Sequence, residues 1–243
     1  MELVRLNKYL AMCGLCSRRD ADKIIADGRV LVNGNVAEAG LKVDDGDTVS
    51  VDGKEIHPVK EKIVIAYNKP RGVVVTERDE HADITVIDAI DYKERLTYAG
   101  RLDKDSEGLL LLSNDGDFIN AAMKGINHHE KEYVVVVDKE VSKGHIQNLK
   151  EGVYLDELGV KTRPCKVEQM PDAKAKHTYR VTISQGLNRQ IRRMFDAFGY
   201  KVLELKRIRV INVLLGDIEL GKYRELTEAE KISLYKEVGL VYK

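Results

Sequence analysis

The sequence carries no net charge. Forty basic side chains are balanced by forty acidic ones, so there is no whole-molecule positive field, and a polyanionic partner would have to be held by a local patch. Cysteine is scarce. Three residues, an odd number, exclude the even disulfide framework of a small secreted scaffold and point to a reducing compartment. Cys13 and Cys16 make a lone C-x-x-C with no second pair, and Cys13 is expected in the core of a first helix. No stretch approaches the ~20 apolar residues of a membrane span, and the opening residues lack the apolar run of a leader. There is no P-loop, no dinucleotide-binding glycine fingerprint after a strand, no solenoid repeat and no low-complexity tract. Nucleoside-triphosphate and nicotinamide enzymes are disfavoured, and a soluble cytoplasmic protein is expected.

What the sequence does have is a real core and a division into two parts. Hydrophobic residues make up 43% of 243, enough for one large domain or two unequal ones. In the first sixty residues, Leu6, Tyr9, Leu10 and Cys13 form a helical stripe that Gly14 ends. Ser17 then caps a second helix, with Asp20 in a capping-box-like place and Gly28 at its end. VLVNGNVA reads as a hairpin turning at Asn33-Gly34, and DTVSVDG as a further strand. Polar residues 53–62 with Pro58 read as a linker. Beyond it, strands are expected at KIVIAYNKP, GVVVT, GLLLLSN, KEYVVVVD, RPCKVEQM, HTYRVTIS and KVLELKRIRVINVLL. Helices are expected near 85–91, 117–124, 142–151, 188–198 and 227–238. Strands outnumber helices without βαβ alternation, which favours an α+β fold with a mixed, largely antiparallel sheet.

Three segments concentrate chemistry. YAGRLDKDSEGLLLLSNDGDF crowds Arg101, Asp103, Lys104, Asp105 and Glu107 ahead of the apolar run Leu109 to Leu112. On charge count a solvated turn is the plainer reading; anchorage on a buried strand makes a reactive loop the alternative. SQGLNRQIRRMFDAFGY places Arg189, Arg192 and Arg193 in the first turns of a helix that Asn188 can cap, where cations oppose the macrodipole. That conflict calls for an anionic partner, either a phosphate or a carboxylate from elsewhere in the fold. With Lys201, Lys206, Arg207 and Arg209 close behind, the region reads as the local basic patch that the neutral total conceals. NHHEKEYVVVVD places Tyr133 at the start of a strand. His128, His129 and Glu130 lack a third ligand at zinc-like spacing, so a polar loop and no metal is expected.

Taken together these segments resemble a known family. GRLDKDSEGLLLLSNDGD resembles the signature of the RsuA/RluB/RluF branch of ribosomal RNA pseudouridine synthases. KEYVV and QGLNRQIRRM resemble its second and third motifs, in order, and LKRIRV with LLGDIELGKYRELT is similar to its closing segment. RLNKYLAMCGLCSRRDADKIIADGRVLVNGNVA resembles the αL RNA-binding module of this branch. The resemblance spans almost the whole chain, and INHHEKEY and GLNRQIRRMFDAFGY are most similar to the RluF type, which acts on 23S ribosomal RNA.

The resemblance implies an αL module over 1–60 and a catalytic domain over 61–243. It implies conversion of uridine to pseudouridine without cofactor or metal, in 23S ribosomal RNA or, as the alternative, in 16S or transfer RNA. Asp103 matches the family's nucleophile, Arg192 its salt-bridge partner and Tyr133 the active-site tyrosine. Arg101 matches the residue that fills the gap left by a flipped base, Leu205 the wall of the base pocket, and Lys69 with Pro70 an element beside the site. Arg189, Arg193 and, in the first module, Arg5, Lys8, Arg18 and Arg19 are expected to face RNA, the protein acting as a monomer on ribosomal RNA or a pre-ribosomal particle. A non-catalytic RNA-binding factor is the competing reading. It has no use for a carboxylate amid cations, because a carboxylate repels phosphate.

Overall fold

The computed structural model describes residues 3–77, 83–124, 128–171 and 173–242. The chain separates into two compact units, Met1–Ile63 with Tyr92–Leu96 and Asn114–Gly116, and Val64–Asp91 with Thr97–Ser113 and Asp117–Lys243.

The first unit holds β1 (Val4–Arg5), α1 (Leu6–Met12), α2 (Arg18–Ala26), β2 (Val30–Val32), β3 (Asn35–Val36), β4 (Lys42–Val43), β5 (Val49–Val51) and β6 (Lys54–Glu55). The Ser17 hydroxyl accepts the Asp20 N–H at 3.1 Å and starts α2. Asn33 and Gly34, both at positive φ, turn β2 into β3, the backbone a two-residue hairpin with Asn-Gly requires. Leu6, Tyr9, Leu10, Ala21, Ile25, Val30, Val43 and Val49 close a small core. β6, inside the expected linker, pairs with β5.

The second unit is built on one sheet with strand order β13-β14-β10-β15-β9-β7-β17. In chain order its strands are β7 (Val64–Lys69), β8 (Thr97–Ala99), β9 (Glu107–Ser113), β10 (Lys131–Val137), β11 (Tyr154–Leu155), β12 (Val160–Lys161), β13 (Lys166–Gln169), β14 (Thr178–Ile183), β15 (Val202–Val210), β16 (Val213–Leu214) and β17 (Tyr223–Glu225). β8 and β16 add to β9 and β15, and β11 and β12 form a separate pair. Only β9 and β15 run parallel among the named strand pairs; the mixed, largely antiparallel sheet is the expected one. β7 and β9 are buried on both faces, so they read as continuous apolar runs rather than alternations.

Helices α3 (Gly116–Met123), α4 (Lys143–Glu151), α5 (Gln190–Asp196) and α6 (Glu228–Glu237) complete the unit. Val64, Ala66, Leu109 and Leu111 on one sheet face pack with Phe118 and Ala122 of α3 and Leu234 and Tyr235 of α6. The Phe118 and Tyr235 rings stack at 5.2 Å. α6 begins with a capping box between Thr227 and Glu230, and Arg224 grips Glu230 through two bonds of 2.7 and 2.8 Å. On the other face, Tyr179, Val135 and Leu205 lie in register across β14, β10 and β15. The ring of Phe195 in α5 lies 6.2 Å from that of Tyr179.

Two expected elements are absent. GVVVT forms no strand; only an isolated bridge joins Val74 to Thr85. The helix expected near 85–91 is a turn. Thr85 and Asp88 make the reciprocal bonds of a capping box, the Thr85 N–H donating to Asp88 Oδ2 at 3.1 Å and the Asp88 N–H to Thr85 Oγ1 at 3.2 Å. No helix follows that cap.

The parallel contact has a strict steric demand. Gly108 sits at φ +106, and a Cβ there would lie 2.2 Å from the Arg207 carbonyl oxygen and 2.7 Å from its nitrogen. We predict that Gly108→Ala destabilises the fold by about 3 kcal/mol or more, measured by urea unfolding. Gly116→Ala, where a Cβ meets nothing within 4 Å, serves as the control. Equal midpoints for the two variants would refute the reading.

Candidate active site

The close approach of β9 and β15 sets one row of residues across the sheet: Lys69 on β7, Gly108 on β9, Arg207 on β15 and Tyr133 on β10. Laterally paired residues share a face, so this row lies opposite the Val64, Ala66 and Leu109 face. Leu205, 4% exposed, stands two pairs further along β15 on the same face, opposite Val135. Tyr133 is buried.

The loop before β9 carries the acidic cluster. Its turn is closed by the Ser106 N–H on the Asp103 carbonyl at 3.0 Å, and the Gly72 N–H holds the Lys104 carbonyl at 2.9 Å. Asp103 is half-buried and Ser106 fully buried. Two guanidinium groups hold the backbone on either side of Asp103. Arg192 of α5 donates through Nη2 to the Asp105 carbonyl at 3.0 Å and through Nη1 to the Val202 carbonyl at 3.1 Å. Arg207 donates through Nε to the Leu109 carbonyl at 2.7 Å and through Nη1 to the Arg101 carbonyl at 3.3 Å. The Arg101 side chain is exposed.

The expected ion pair of Arg192 with Asp103 is not formed. The guanidinium donates instead to the Asp105 and Val202 carbonyls, with the Ser106 hydroxyl 3.5 Å from Nη2. The carboxylate facing the start of α5 is Asp105, 3.4 Å from Arg189. The cations at this helix start thus meet a carboxylate from elsewhere in the fold. Asp103 still acts on Arg192 through space. Burial pulls the guanidinium below its ordinary value and Arg189 adds to that, whereas Asp105 and Asp103 oppose it. The N-cap is Arg189, at φ +50 and without a side-chain cap, rather than Asn188. The Asn188 carbonyl instead accepts Arg193 Nε at 3.1 Å.

The expected basic patch is largely neutralised. Arg193 is ion-paired with Glu157. Arg209 is held between Glu130 at 2.9 Å and Glu132 at 3.0 Å, Lys206 reaches Glu107 at 4.0 Å, and Arg207 is 2% exposed. Neighbouring strands and the segments beside them supply these acids, and sequence proximity does not reveal them. Among the described residues no His, Cys, Asp and Glu cluster could hold a metal, and no helix is long and apolar enough to cross a membrane.

Lys69 is fully buried, its Nζ donating to the carbonyls of Pro70 and Val73 at 2.8 Å each. Burial pushes its ammonium down to about 8; Asp103 opposes the shift, Arg207 adds to it, and Asp105 and Glu107 oppose it. Burial, with Arg207 adding, also takes Lys131 down to about 8. The motifs did not single out Arg207 or Ser106 for the site. A basic residue at a buried register position beside an obligate glycine is the signal that could have found Arg207.

An acidic loop clamped by two arginines over a strand row that ends in a tyrosine is the setting in which the relatives can be compared. A family model described as RNA pseudouridylate synthase matches residues 63–197. The chain belongs to the RNA pseudouridine synthase family. An S4 domain model matches residues 4–49. The chain is 45% identical over 235 residues to the Dual-specificity RNA pseudouridine synthase RluF of Escherichia coli K12, covering 96% of this chain and 79% of that one. It is 38% identical to the Ribosomal large subunit pseudouridine synthase B of Bacillus subtilis, covering 93% of each. A crystal structure of a pseudouridylate synthase superposes with a TM-score of 0.69 at 31% identity, covering 95% of this chain and 99% of that one. This synthase carries an S4 RNA-binding domain. In it Arg5, Arg18 and Arg19 are exposed and Lys8 half-buried on and beside α1 and α2.

The buried lysine generates a pH prediction. Lys69 is cationic below about 8 and neutral above it. Its folded value lies below the ordinary 10.5, so between these values the unfolded chain binds more protons and stability rises with pH; Lys131 acts in the same sense. If the cation beside Asp103 supports turnover, kcat falls over the window in which stability climbs. Lys69→Arg is expected to move that alkaline limb upward by more than about one pH unit. An identical limb in the variant, followed by single-turnover assay, would rule the assignment out.

Proposed function

We propose that this synthase isomerises a uridine of 23S ribosomal RNA, with Asp103 as the nucleophile at C1′. The observation that carries the reading is the backbone clamp of Arg192 and Arg207 around Asp103 on the face that also bears Tyr133 and Leu205. A carboxylate held at a fixed place can trap the electron-poor C1′ as the bond to N1 breaks. The freed uracil turns, C5 bonds to C1′ as the bond from C1′ to the Asp103 oxygen breaks and frees the carboxylate, the proton leaves C5 and N1 gains one. The product has the atoms of the substrate, so the chemistry calls for no oxidant, reductant or group donor. Tyr133 stacks on the uracil and assists removal of the C5 proton. Leu205 walls the base, which must be kept from escaping. Arg101, exposed beside the loop, fills the space left when the nucleotide swings out of its helix. Lys69 supplies a buried cation next to the carboxylate. Arg192, in place of the direct pairing expected from sequence, fixes the loop through the Asp105 carbonyl.

In this reading residues 1–60 form the RNA-gripping domain, residues 61–243 the catalytic one, and Arg189 and Arg193 flank the RNA path. The protein works in the cytoplasm as a monomer, on ribosomal RNA or a pre-ribosomal particle. The name of the Bacillus subtilis relative, a large-subunit synthase, supports the 23S target.

Asp103→Asn is expected to lower pseudouridine formation on a 23S fragment by at least roughly 1,000-fold, about 4 kcal/mol in barrier height, with RNA affinity retained. Conversion at the native rate would dismiss the nucleophile. A second measurement addresses the first domain. Replacing Arg5, Arg18 and Arg19 together by alanine should weaken RNA binding roughly tenfold and flatten its log–log salt slope by about 2 to 3. Turnover of saturating RNA should persist. An unchanged salt slope would remove these residues from the RNA interface.

A further inference from the structure

Arg207 stands out on three independent counts. It heads the fully buried side chains by volume, at 2% exposure. It makes no ion pair among the described residues, and its Nη2 is buried without a hydrogen-bond partner. Two of its nitrogens hold the carbonyls of Arg101 and Leu109, on opposite sides of Asp103 in the chain. A desolvated guanidinium without a counter-ion is costly, and an apolar side chain of similar size is commonly the more stable occupant. A fold that keeps such a group is giving up stability at that position, and such concessions gather at functional sites. A plain structural cation is the alternative. It would satisfy two carbonyls, and a fully paired group would serve that purpose better.

The surroundings point toward the reaction. Arg207 is paired in register with Tyr133 on one side and with Gly108 on the other. The missing Cβ of Gly108 is what allows β15 to pass so close to the loop strand. Buried Lys69 lies within electrostatic reach of Arg207, Asp103, Asp105 and Glu107, and Lys131 within reach of Arg207.

We propose that Arg207 is a positioning residue of the isomerisation: its fork fixes the backbone on both sides of Asp103, and its uncompensated charge makes that carboxylate the natural counter-ion of the buried cations. The inference rests on the proposed role of Asp103. It predicts a shape requirement as well as a charge requirement, because lysine carries the charge but has no planar fork to span two carbonyls.

The test uses the full chain and a 23S fragment as substrate, with wild type, Asp103→Asn, Arg207→Lys and Arg207→Met assayed side by side. Arg207→Lys and Arg207→Met are each expected to lose at least roughly 30-fold in kcat, with KM and RNA affinity changed less than about twofold, and Arg207→Met with a thermal midpoint equal to or above wild type. Loss of the arginine charge in Arg207→Met should also raise the Lys69 ammonium, displacing the alkaline limb of kcat upward, a shift that a purely structural residue would not cause. The groups acting on that limb are Asp103, Asp105 and Glu107 from the loop and β9, with Arg207 from β15. Native kcat in either folded variant would overturn the proposal, as would a fall in the stability of Arg207→Met with its pH profile intact. Should Arg207→Met not fold, Arg207→Lys decides alone, and failure of both to fold would assign the residue to structure. An inactive wild type would sink the function itself, whereas an active wild type, a dead Asp103→Asn and unaffected Arg207 variants would sink only this inference.

Discussion

The passage of β15 alongside β9 at Gly108 is the contact on which the catalytic unit depends. Only two residue pairs, Lys206 with Glu107 and Arg207 with Gly108, make up this parallel ladder. It joins the half of the sheet built from β13, β14, β10 and β15 to the half built from β9, β7 and β17. Without a side chain on Gly108 the two backbones can approach, and Arg207 then lies where its fork reaches the carbonyls at the root of the acidic loop. Arg192 reaches the other end of that loop from α5. The loop is therefore fixed mainly through its main chain, which leaves the carboxylate of Asp103 without an ion pair among the described residues.

Much of this was legible because the signals are local. Ser17 with Asp20 and Asn33 with Gly34 act within a few residues, and both work as they read. The apolar run Leu109 to Leu112 could only be a buried strand. Local signals also misled. Thr85 and Asp88 form a genuine cap, but a cap and a single turn, with Val86 and Ile90 buried, do not repay the cost of nucleating a helix. GVVVT has strong strand propensity and finds a single bridging partner. β8 is three residues long, too short to show a period. In the site, the motif order named Asp103, Tyr133 and Arg192, and the register brings Tyr133, Leu205 and Lys69 to one face. Which atom holds which was not legible, since Arg192 takes up carbonyls and Asp105 faces Arg189.

The charge balance shows the same limit. Counting neighbours along the chain makes residues 189–209 look strongly basic. In three dimensions Glu130 and Glu132 come from β10 and its approach, Glu107 from β9 and Glu157 from beyond β11. Acids far off in sequence cancel cations that look clustered. In the first unit Arg29 is taken by Asp52 and Lys23 by Asp20, whereas Arg18 and Arg19 at the start of α2 have no ion pair among the described residues. A chain with zero net charge can thus still offer a small cationic surface, provided its acids are folded onto the cations that do not belong to it.

The crossing at Gly108 also has a temporal side. Arg207 and the Leu109 carbonyl it holds are 98 positions apart, and closing so large a loop costs chain entropy before the contact can repay it. The first unit and the β7–β9 hairpin can organise while the last third of the chain is still being synthesised. The acidic loop then has its carboxylates but not the donors that aim them. On the role proposed for Asp103, a chain cut short of β15 would keep that carboxylate but lack the Arg207 fork that fixes its loop.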